Sequence, residues 1–337
     1  MGHSRRCCSC CSPAALAAFL LLSAVPLALL VALERTKSAS ESFEYRSLGW
    51  VRECAKWDDD GRRFLVSTFF GGGVSEVVPV GGGGPAALEE RPVLQDADVR
   101  GNGSVGILLD RRRGRLLVTY ADLLGNRYAA LGAYDLASWR RLFLTQLSGP
   151  GDEPCMADDV AVDDDGNAYV TDAKASKIWK VGPDGHLLST IRNPAFTQGM
   201  PWYSTLIGLN GIVFHPNGYL LVIHTCGGRL FKLDVATGRV SAVEVTGGSL
   251  VMGDGLVLLS PTKLVVAGVA PSGRVVESSD DWATAAVTAR YRGPMHRIAS
   301  SATVKDGKVY LNHLVGGGVP RRTHLITEAV FYPVNAK

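Results

Sequence analysis

Hydrophobic and polar residues alternate along most of the chain in short runs that end at turns rich in Asp, Asn or Gly. The recurring unit has small or polar residues, an apolar strand, a turn and a second apolar strand. Its clearest copies are ECAKWDDDGRRFLVSTF from Glu53, DDVAVDDDGNAYVTDA from Asp158 and NGIVFHPNGYLLVIHT from Asn210. Alternation with a period of two, bounded by turn residues, predicts half-buried β-strands joined in hairpins.

The unit recurs six times, because weaker copies begin at Val105, Asp254 and Ser300, with starts 44 to 53 residues apart. Each copy continues into further short strands, such as KIWKVGPDG at residues 177–185, which makes about four strands per unit. Repeated four-stranded units predict an all-β fold, a six-bladed β-propeller with four-stranded antiparallel blades around a central channel. A TIM barrel is excluded because the sequence has no long amphipathic helices between the strands.

The propeller is expected to span residues 48–333. The segments FEYRSLGW, which starts at Phe43, and HLITEAVFYPV, which starts at His324, are the natural strands to close the ring. The insert at residues 192–209 precedes the first strand of the fourth unit, and we expect it to form a lid over the mouth of the channel.

The amino terminus carries an apolar run, because residues 13–33 contain no charge. Its length suits one hydrophobic helix that acts as a signal anchor or a cleaved signal peptide, and we favour the anchor. Residues 1–12 are then a Cys-rich flank and residues 34–47 a linker. The chain is expected in the secretory pathway, with the propeller in the lumen and membrane attachment if the anchor is uncleaved. The flank offers four sites for palmitoylation or is simply discarded: Cys7, Cys8, Cys10 and Cys11.

Composition supports a large globular core, with 337 residues of which 46% are hydrophobic and 20% charged. The 39 glycines favour strands and tight turns over helical bundles. The net charge of only +3 gives no excess of basic residues of the kind that nucleic-acid-binding proteins carry. An odd number of cysteines follows the flank, so disulfides are not the framework. The sequon at Asn102 suits a lumenal loop.

The first strand of every blade lines the channel of a propeller, so residues at one register position should form a ring at one depth. That position holds Glu53, Val105, Asp158, Asn210, Asp254 and Ser300, which we call the predicted column. Its three carboxylates and one amide would repel one another unless a cation neutralised them. Calcium, which accepts oxygen ligands in a loose geometry, fits Glu53, Asp158, Asn210 and Asp254 best. The alternative is that these residues only cap strands and turns through backbone N–H groups.

These segments resemble the six-bladed propellers of the regucalcin/gluconolactonase superfamily, which also includes paraoxonases, diisopropyl-fluorophosphatases and strictosidine-synthase-like proteins. ECAKW resembles the E-G-P-x-W ligand segment of that family, which implies that Glu53 is its metal glutamate. Asn210 in NGIVFHPNG resembles the ligand asparagine, and Asp254 in GDGLVL resembles the ligand aspartate. Asp158 stands where relatives commonly have Asn, a departure that concerns activity more than fold.

The leading hypothesis is a monomeric calcium-dependent hydrolase of ester, lactone or phosphotriester small molecules. His296 is the candidate general base, with a structural role as its alternative. His215 is interpreted as a structural turn residue, and His224 and His313 are weaker functional candidates. The alternative function is a non-enzymatic binding module with a structural calcium site. Amine–aldehyde condensation ranks last, because residues 295–315 contain no Glu that could act as its base.

Overall fold

The computed structural model describes residues 13–35, 41–79, 88–291, 293 and 297–334. The chain divides into two compact units, residues 1–39 and 40–337. The described part of the first unit is the helix α1 (Pro13–Arg35), which confirms the predicted amino-terminal helix. No helix of the described residues has the length and apolar character that a membrane span requires. The transmembrane assignment of residues 13–33 is therefore not confirmed.

The second unit is built almost entirely from short strands, which confirms the all-β class. The strands are, in chain order, β1 (Ser42–Ser47), β2 (Ala55–Asp58), β3 (Arg63–Ser67), β4 (Gly73–Pro79), β5 (Leu88–Gln95), β6 (Gly103–Asp110), β7 (Arg115–Ala121), β8 (Ala129–Asp135), β9 (Arg141–Ser148), β10 (Ala157–Val162), β11 (Ala168–Asp172), β12 (Ile178–Val181), β13 (Leu187–Ile191), β14 (Leu209–His215), β15 (Tyr219–His224), β16 (Arg229–Asp234), β17 (Val240–Thr246), β18 (Gly253–Ser260), β19 (Lys263–Gly268), β20 (Gly273–Glu277), β21 (Thr284–Tyr291), β22 (Ala299–Lys305), β23 (Lys308–His313), β24 (Arg322–Glu328) and β25 (Phe331–Pro333). Short 3₁₀ helices lie at Ala97–Val99, Arg111–Arg113, Pro194–Phe196 and Trp202–Leu206.

Within the described residues, consecutive strands pair antiparallel in groups of four. Groups 1 to 5 are β2–β5, β6–β9, β10–β13, β14–β17 and β18–β21, and group 6 combines β22, β23 and β24 with β1. Parallel pairing joins the outer strands of groups 1 and 6, through β5 and β1, and those of groups 4 and 5, through β17 and β21. The structure therefore has several sheets, each made of one group or of two joined groups.

The first strands of the groups contact one another in cyclic order. β2 contacts β6, β6 contacts β10, and the series continues through β14 and β18 to β22, which contacts β2 again. The first strands of these groups therefore contact one another in a closed series. The buried apolar residues form clusters that each draw on two consecutive groups, including groups 6 and 1. Burial of apolar area between groups is therefore what holds neighbouring groups together.

The two segments expected to close the ring do pair with each other. β1 lies antiparallel to β24, with Tyr45 opposite His324 and their rings stacked at a centroid distance of 5.4 Å. The compact unit consequently begins near Ser40, earlier than the expected boundary at residue 48, because the end of the expected linker 34–47 forms the outer strand of group 6.

Candidate functional site

The predicted column lies where the first strand of each group begins. In groups 2 to 6, a β-bulge interrupts the pairing of the first and second strands, and the column residue lies inside it. The bulges fall between Ser104 and Ile107, Ala157 and Val160, Leu209 and Ile212, Gly253 and Leu256, and Ala299 and Ser301. Glu53 lies two residues before the start of group 1 at Ala55. A bulge breaks the regular alternation of side chains and re-aims one of them, so a strand that packs on both faces can still turn one side chain out of the regular pattern.

The position after the column residue brings neighbouring first strands into close approach. A Cβ added at Gly106 would lie 2.5 Å from the carbonyl oxygen of Asp158, and one added at Gly255 would lie 2.6 Å from that of Ser300. Only glycine allows such an approach without displacing the backbone. The bulges of successive groups are therefore packed directly against one another.

Hydroxyl groups on the second strands link these bulges between groups. Thr171 Oγ1 accepts a hydrogen bond from Asp159 N at 3.0 Å and donates to the carbonyl oxygen of Asn210 at 2.7 Å. Thr119 makes the same connection between Gly106 N and the carbonyl oxygen of Asp158. Each threonine thereby fixes the bulge of its own group and the backbone of a column residue in the next group.

Group 6 is linked to group 1 by an amide in the same place. Asn312 Nδ2 donates to the carbonyl oxygen of Arg52 at 2.7 Å and to Ser300 Oγ at 3.2 Å, and Ser300 Oγ donates to the carbonyl oxygen of Glu53. The backbone at Glu53 is therefore positioned by residues almost 250 places away in sequence.

Among the predicted ligands, Asp254 acts through its charge on both Glu53 and Asp158. Burial, followed by the charges of Asp158, Asp254 and Asp159, holds the pKa of Glu53 well above its ordinary value. Burial and the charge of Asp254 likewise raise the pKa of Asp158. Burial and the charge of Asp159 raise the pKa of Asp254 to about 8, although Asp254 accepts a hydrogen bond from the side chain of Asn210. The column therefore disfavours the full set of ionised carboxylates in the absence of a cation.

Two charged residues that the sequence analysis missed belong to the same cluster. Asp159 follows Asp158 and is buried, and its pKa is raised by burial against the lowering effect of Lys56. Lys56 donates from Nζ to the carbonyl oxygen of Ala302 at 3.2 Å, and the charges of Cys54, Asp159 and Glu53 outweigh burial and raise its pKa. A signal for Asp159 was present, because the aligned position in groups 2, 4 and 5 is glycine.

The donor set of the column fits a hard divalent cation. Its groups are oxygen donors, and the carboxylate charges repel one another. Asp254 Oδ1 is buried and has no hydrogen-bond partner, which is the state expected of an atom available to a ligand. As placed, however, no three His, Cys, Asp or Glu side chains in the described residues are close enough together to hold a metal ion. Coordination therefore requires these side chains to approach one another more closely.

The histidines named from the sequence have different surroundings. His215 has a structural role, because its Nε2 lies 2.8 Å from the carbonyl oxygen of Pro261 and its ring stacks on Tyr219. His224 is fully buried, its Nδ1 accepts from Gly227 N, and burial lowers its pKa to about 4. His313 is also fully buried. His296 lies outside the described residues, so its role as a base stays a prediction.

The insert at residues 192–209 joins β13 to β14 at the end where the column lies. It is held by Phe196, which is buried against Phe231 at a centroid distance of 5.3 Å, and by Arg229, which donates to the carbonyl oxygen of Gln198 at 2.8 Å. Trp202 in this insert is 82% exposed. A lid function stays a prediction.

Comparison with solved structures gives matches over nearly the whole chain at low identity. The Malassezia sympodialis allergen Mala s 1 superposes with a TM-score of 0.63 and 16% identity, covering 87% of this chain and 97% of the allergen. A gluconolactonase from Xanthomonas campestris superposes with a TM-score of 0.51 and 15% identity, covering 84% of this chain and 88% of the gluconolactonase. A streptogramin B lyase superposes with a TM-score of 0.53 and 13% identity, covering 85% of this chain and 97% of the lyase.

The fold is that of the gluconolactonase-like propellers. The resemblance inferred from the sequence is thus confirmed at the level of fold. No family model matches the chain. No curated protein matches it by sequence either. At these identities the neighbours establish architecture, and the chemistry has to be argued from the residues of the chain itself.

Proposed function

We propose that the chain is a six-bladed propeller that hydrolyses small neutral esters, lactones or phosphotriesters with a calcium ion held by Glu53, Asp158, Asn210 and Asp254. The observation that carries this proposal is that burial and neighbouring carboxylates raise the pKa of three acidic residues from three separate groups, with Asp254 acting on both Glu53 and Asp158. Strongly perturbed carboxylates that converge in a central cleft are typical of functional sites. The gluconolactonase among the structural neighbours is consistent with a lactonase-type reaction.

Two features of the fold support the count of six blades. The antiparallel groups of four follow one another along the chain, and their first strands contact in a closed cycle. Each apolar cluster also lies between two consecutive groups, as blades packed around an axis require.

The charge of the site favours neutral substrates. Glu53, Asp158, Asp159 and Asp254 contribute four negative charges when ionised, Lys56 contributes one positive charge, and a dication would leave a net charge of −1. Calcium would supply charge neutralisation and polarise the substrate oxygen on which negative charge develops. With the cation bound, a carboxylate of the column would stay ionised at neutral pH and would accept the proton from an attacking water molecule. Lys56 keeps a fixed positive charge on one side of the cluster.

Calorimetric titration of the purified full chain with calcium tests the ion site. The chain should bind calcium, and Asn210→Ala and Asp254→Ala should weaken binding strongly. Asp163→Asn is the matched control. Asp163 is a buried carboxylate of group 3, as Asp158 is, but it lies in the turn after β10, where Asn167 and Tyr169 donate hydrogen bonds to it. Equal calcium affinity in all four proteins would refute the ligand assignment.

Turnover of lactone, aryl-ester and phosphotriester substrates, with and without a chelator, tests the reaction. Chelator-sensitive hydrolysis that is lost in Asp254→Ala supports the hydrolase. Calcium binding without any turnover would instead favour a binding module with a structural ion. His296→Ala is included in the screen, since a loss of turnover with unchanged calcium affinity is expected of a general base.

A further inference from the structure

One end of the second unit carries two sets of loops. Because each group is an antiparallel meander, the connection into its first strand and the connection between its second and third strands lie at the same end. The predicted column also lies at this end, at the starts of the first strands. We call this end the entry end.

Large apolar side chains are strongly exposed in the entry-end loops of groups 1, 4 and 6. In the loops of these groups, Leu48, Trp50, Phe70, Trp202, Leu206 and Val319 are exposed by 54 to 83%, and Leu124 in the group 2 loop is exposed by 86%. Val251 and Met252 extend the set to group 5. We call the loops 48–52, 68–72, 192–208, 225–228, 247–252, 269–272 and 314–321 the apolar face. Contiguous exposure of this kind marks an interaction surface.

The apolar face has a distinct charge pattern. None of its loops contains Asp or Glu, whereas the entry-end loops 96–102, 122–128 and 149–156 of groups 2 and 3 contain several. Two arginines border it: Arg229 donates to the carbonyl oxygens of Gln198 and Gly199, and Arg322 donates to those of Gly318 and Pro320. These bonds go to neutral carbonyl groups, and within the described residues neither guanidinium forms an ion pair with a carboxylate.

One of the two arginines lies against an exposed aromatic ring of the apolar face. The Arg322 guanidinium lies 3.6 Å from the centroid of the Trp50 ring, which is 54% exposed. Tryptophan is suited to the region between lipid tails and headgroups, because its ring is apolar and its indole N–H is polar. Adjacent positive charge is attracted to anionic headgroups.

We propose that the apolar face docks on an anionic lipid bilayer, with Trp50, Phe70, Trp202 and Val319 entering the headgroup region and Arg229 and Arg322 contacting the headgroups. This docking is independent of the proposed hydrolysis and of any anchoring by residues 13–33. It would place the entry end of the second unit against the lipid surface.

The tryptophans of the chain allow a direct test. Trp57, Trp179 and Trp282 are buried, and no tryptophan lies in residues 1–40. Trp139 is half-buried in the turn between β8 and β9, at the opposite end of the second unit. Trp50 and Trp202 are exposed in the apolar face. Fluorescence quenching by lipids brominated in their acyl chains therefore reports contact of this face with lipid, even if the amino-terminal segment also binds the vesicles. The full chain is added to phosphatidylcholine vesicles with and without phosphatidylserine.

We expect quenching on phosphatidylserine vesicles that decreases at high salt and is lost in Trp50→Phe/Trp202→Phe. Phe70→Ser/Val319→Ser should reduce the quenched fraction at least threefold. Arg229→Gln/Arg322→Gln should remove the preference for anionic lipid. The matched control is Leu187→Ser/Leu188→Ser, because both leucines are exposed on the outer strand β13 and should not matter.

Unquenched tryptophans in a chain that sediments with vesicles would overturn the proposal, as would failure to bind vesicles at all. Quenching that is equal on neutral vesicles or equally reduced by the β13 control would also overturn it. Light scattering of the lipid-free chain is measured in parallel. A dimer that Phe70→Ser/Val319→Ser dissociates would assign the face to a second copy of the chain instead.

Discussion

Replacing Asp254 by Asn is expected to stabilise the metal-free protein at neutral pH, although it alters a buried site. Burial and the charge of Asp159 raise the pKa of Asp254 from 3.8 to about 8. The native state therefore binds more protons than the unfolded state between about pH 4 and pH 8, and stability falls as the pH rises through that window. Asn keeps the size and one oxygen acceptor of the side chain but carries no charge.

The expected size of the effect follows from the two pKa values. If Asp254 alone titrates, with a pKa of 3.8 in the unfolded state and about 8 in the native state, linkage lowers the free energy of unfolding at pH 7 by about 4 kcal/mol relative to its value at strongly acidic pH. Asp254 is only half-buried, so solvent screening reduces the expected loss of stability to roughly 2 kcal/mol. Metal-free Asp254→Asn should be more stable than the parent by this amount at pH 7, and the difference should shrink towards zero below pH 4.

Chemical denaturation in the presence of chelator, at several pH values between 4 and 8, measures this difference. The series is repeated with calcium, which should stabilise the parent more than the variant. Asp163→Asn should destabilise at every pH, because its carboxylate accepts hydrogen bonds from Asn167 and Tyr169. If Asp254→Asn is less stable than the parent at pH 7 in chelator, the electrostatic account of the site is wrong.

Three other substitutions have expected outcomes. Thr171→Val is nearly isosteric but removes the hydrogen bond to the carbonyl oxygen of Asn210 in the next group. It should lower the free energy of unfolding by about 1–3 kcal/mol in denaturation experiments and weaken calcium binding. Unchanged calcium affinity would show that Thr171 does not position the site. Arg52→Met should lower the free energy of unfolding by about 3–5 kcal/mol, since it leaves the buried carboxylate of Glu90 unpaired. Its control, Arg62→Met, removes an exposed ion pair and should change that free energy by less than about 1 kcal/mol. Similar losses in the two variants would contradict the role of burial. Burial lowers the pKa of His324 to about 4, so the native state binds fewer protons than the unfolded state and stability should fall as the pH drops from about 6.5 to 4. His324→Gln should make this acid loss shallower in urea denaturation, and an identical pH profile would exclude His324 as its source.

The sequence predicts the strands and the column because both depend on local periodicity. Alternation and turn residues locate the hairpins, and aligning the hairpins by their turns is enough to find Glu53, Asp158, Asn210 and Asp254. Whether they meet depends on ring closure, which local periodicity does not encode; the charge of Asp254 raises the pKa of both Glu53 and Asp158, and a common ion site for the four residues stays a prediction. The bound calcium and the substrate stay predictions.

The parts that the sequence did not reveal depend on contacts between groups. Lys56 belongs to a strand without a bulge, so no local irregularity marks its side chain as facing the charged cluster. Thr119 and Thr171 read as ordinary strand residues until the neighbouring first strand is placed beside them. The sequence predicts that the segment of β1 forms a strand, because its apolar and polar residues alternate. It does not predict where the linker ends, because that boundary depends on the pairing of β1 with β24.

The pairing of β1 with β24 has a consequence for biosynthesis. β1, which completes group 6, is synthesised before the other strands of the second unit, whereas its partner β24 follows β2 to β23. Until group 6 is made, the backbone at Glu53 lacks the contacts from Ser300 and Asn312 that position it. A nascent chain halted before residue 299 should therefore leave the apolar surfaces that groups 1 and 5 pack against group 6 exposed to solvent.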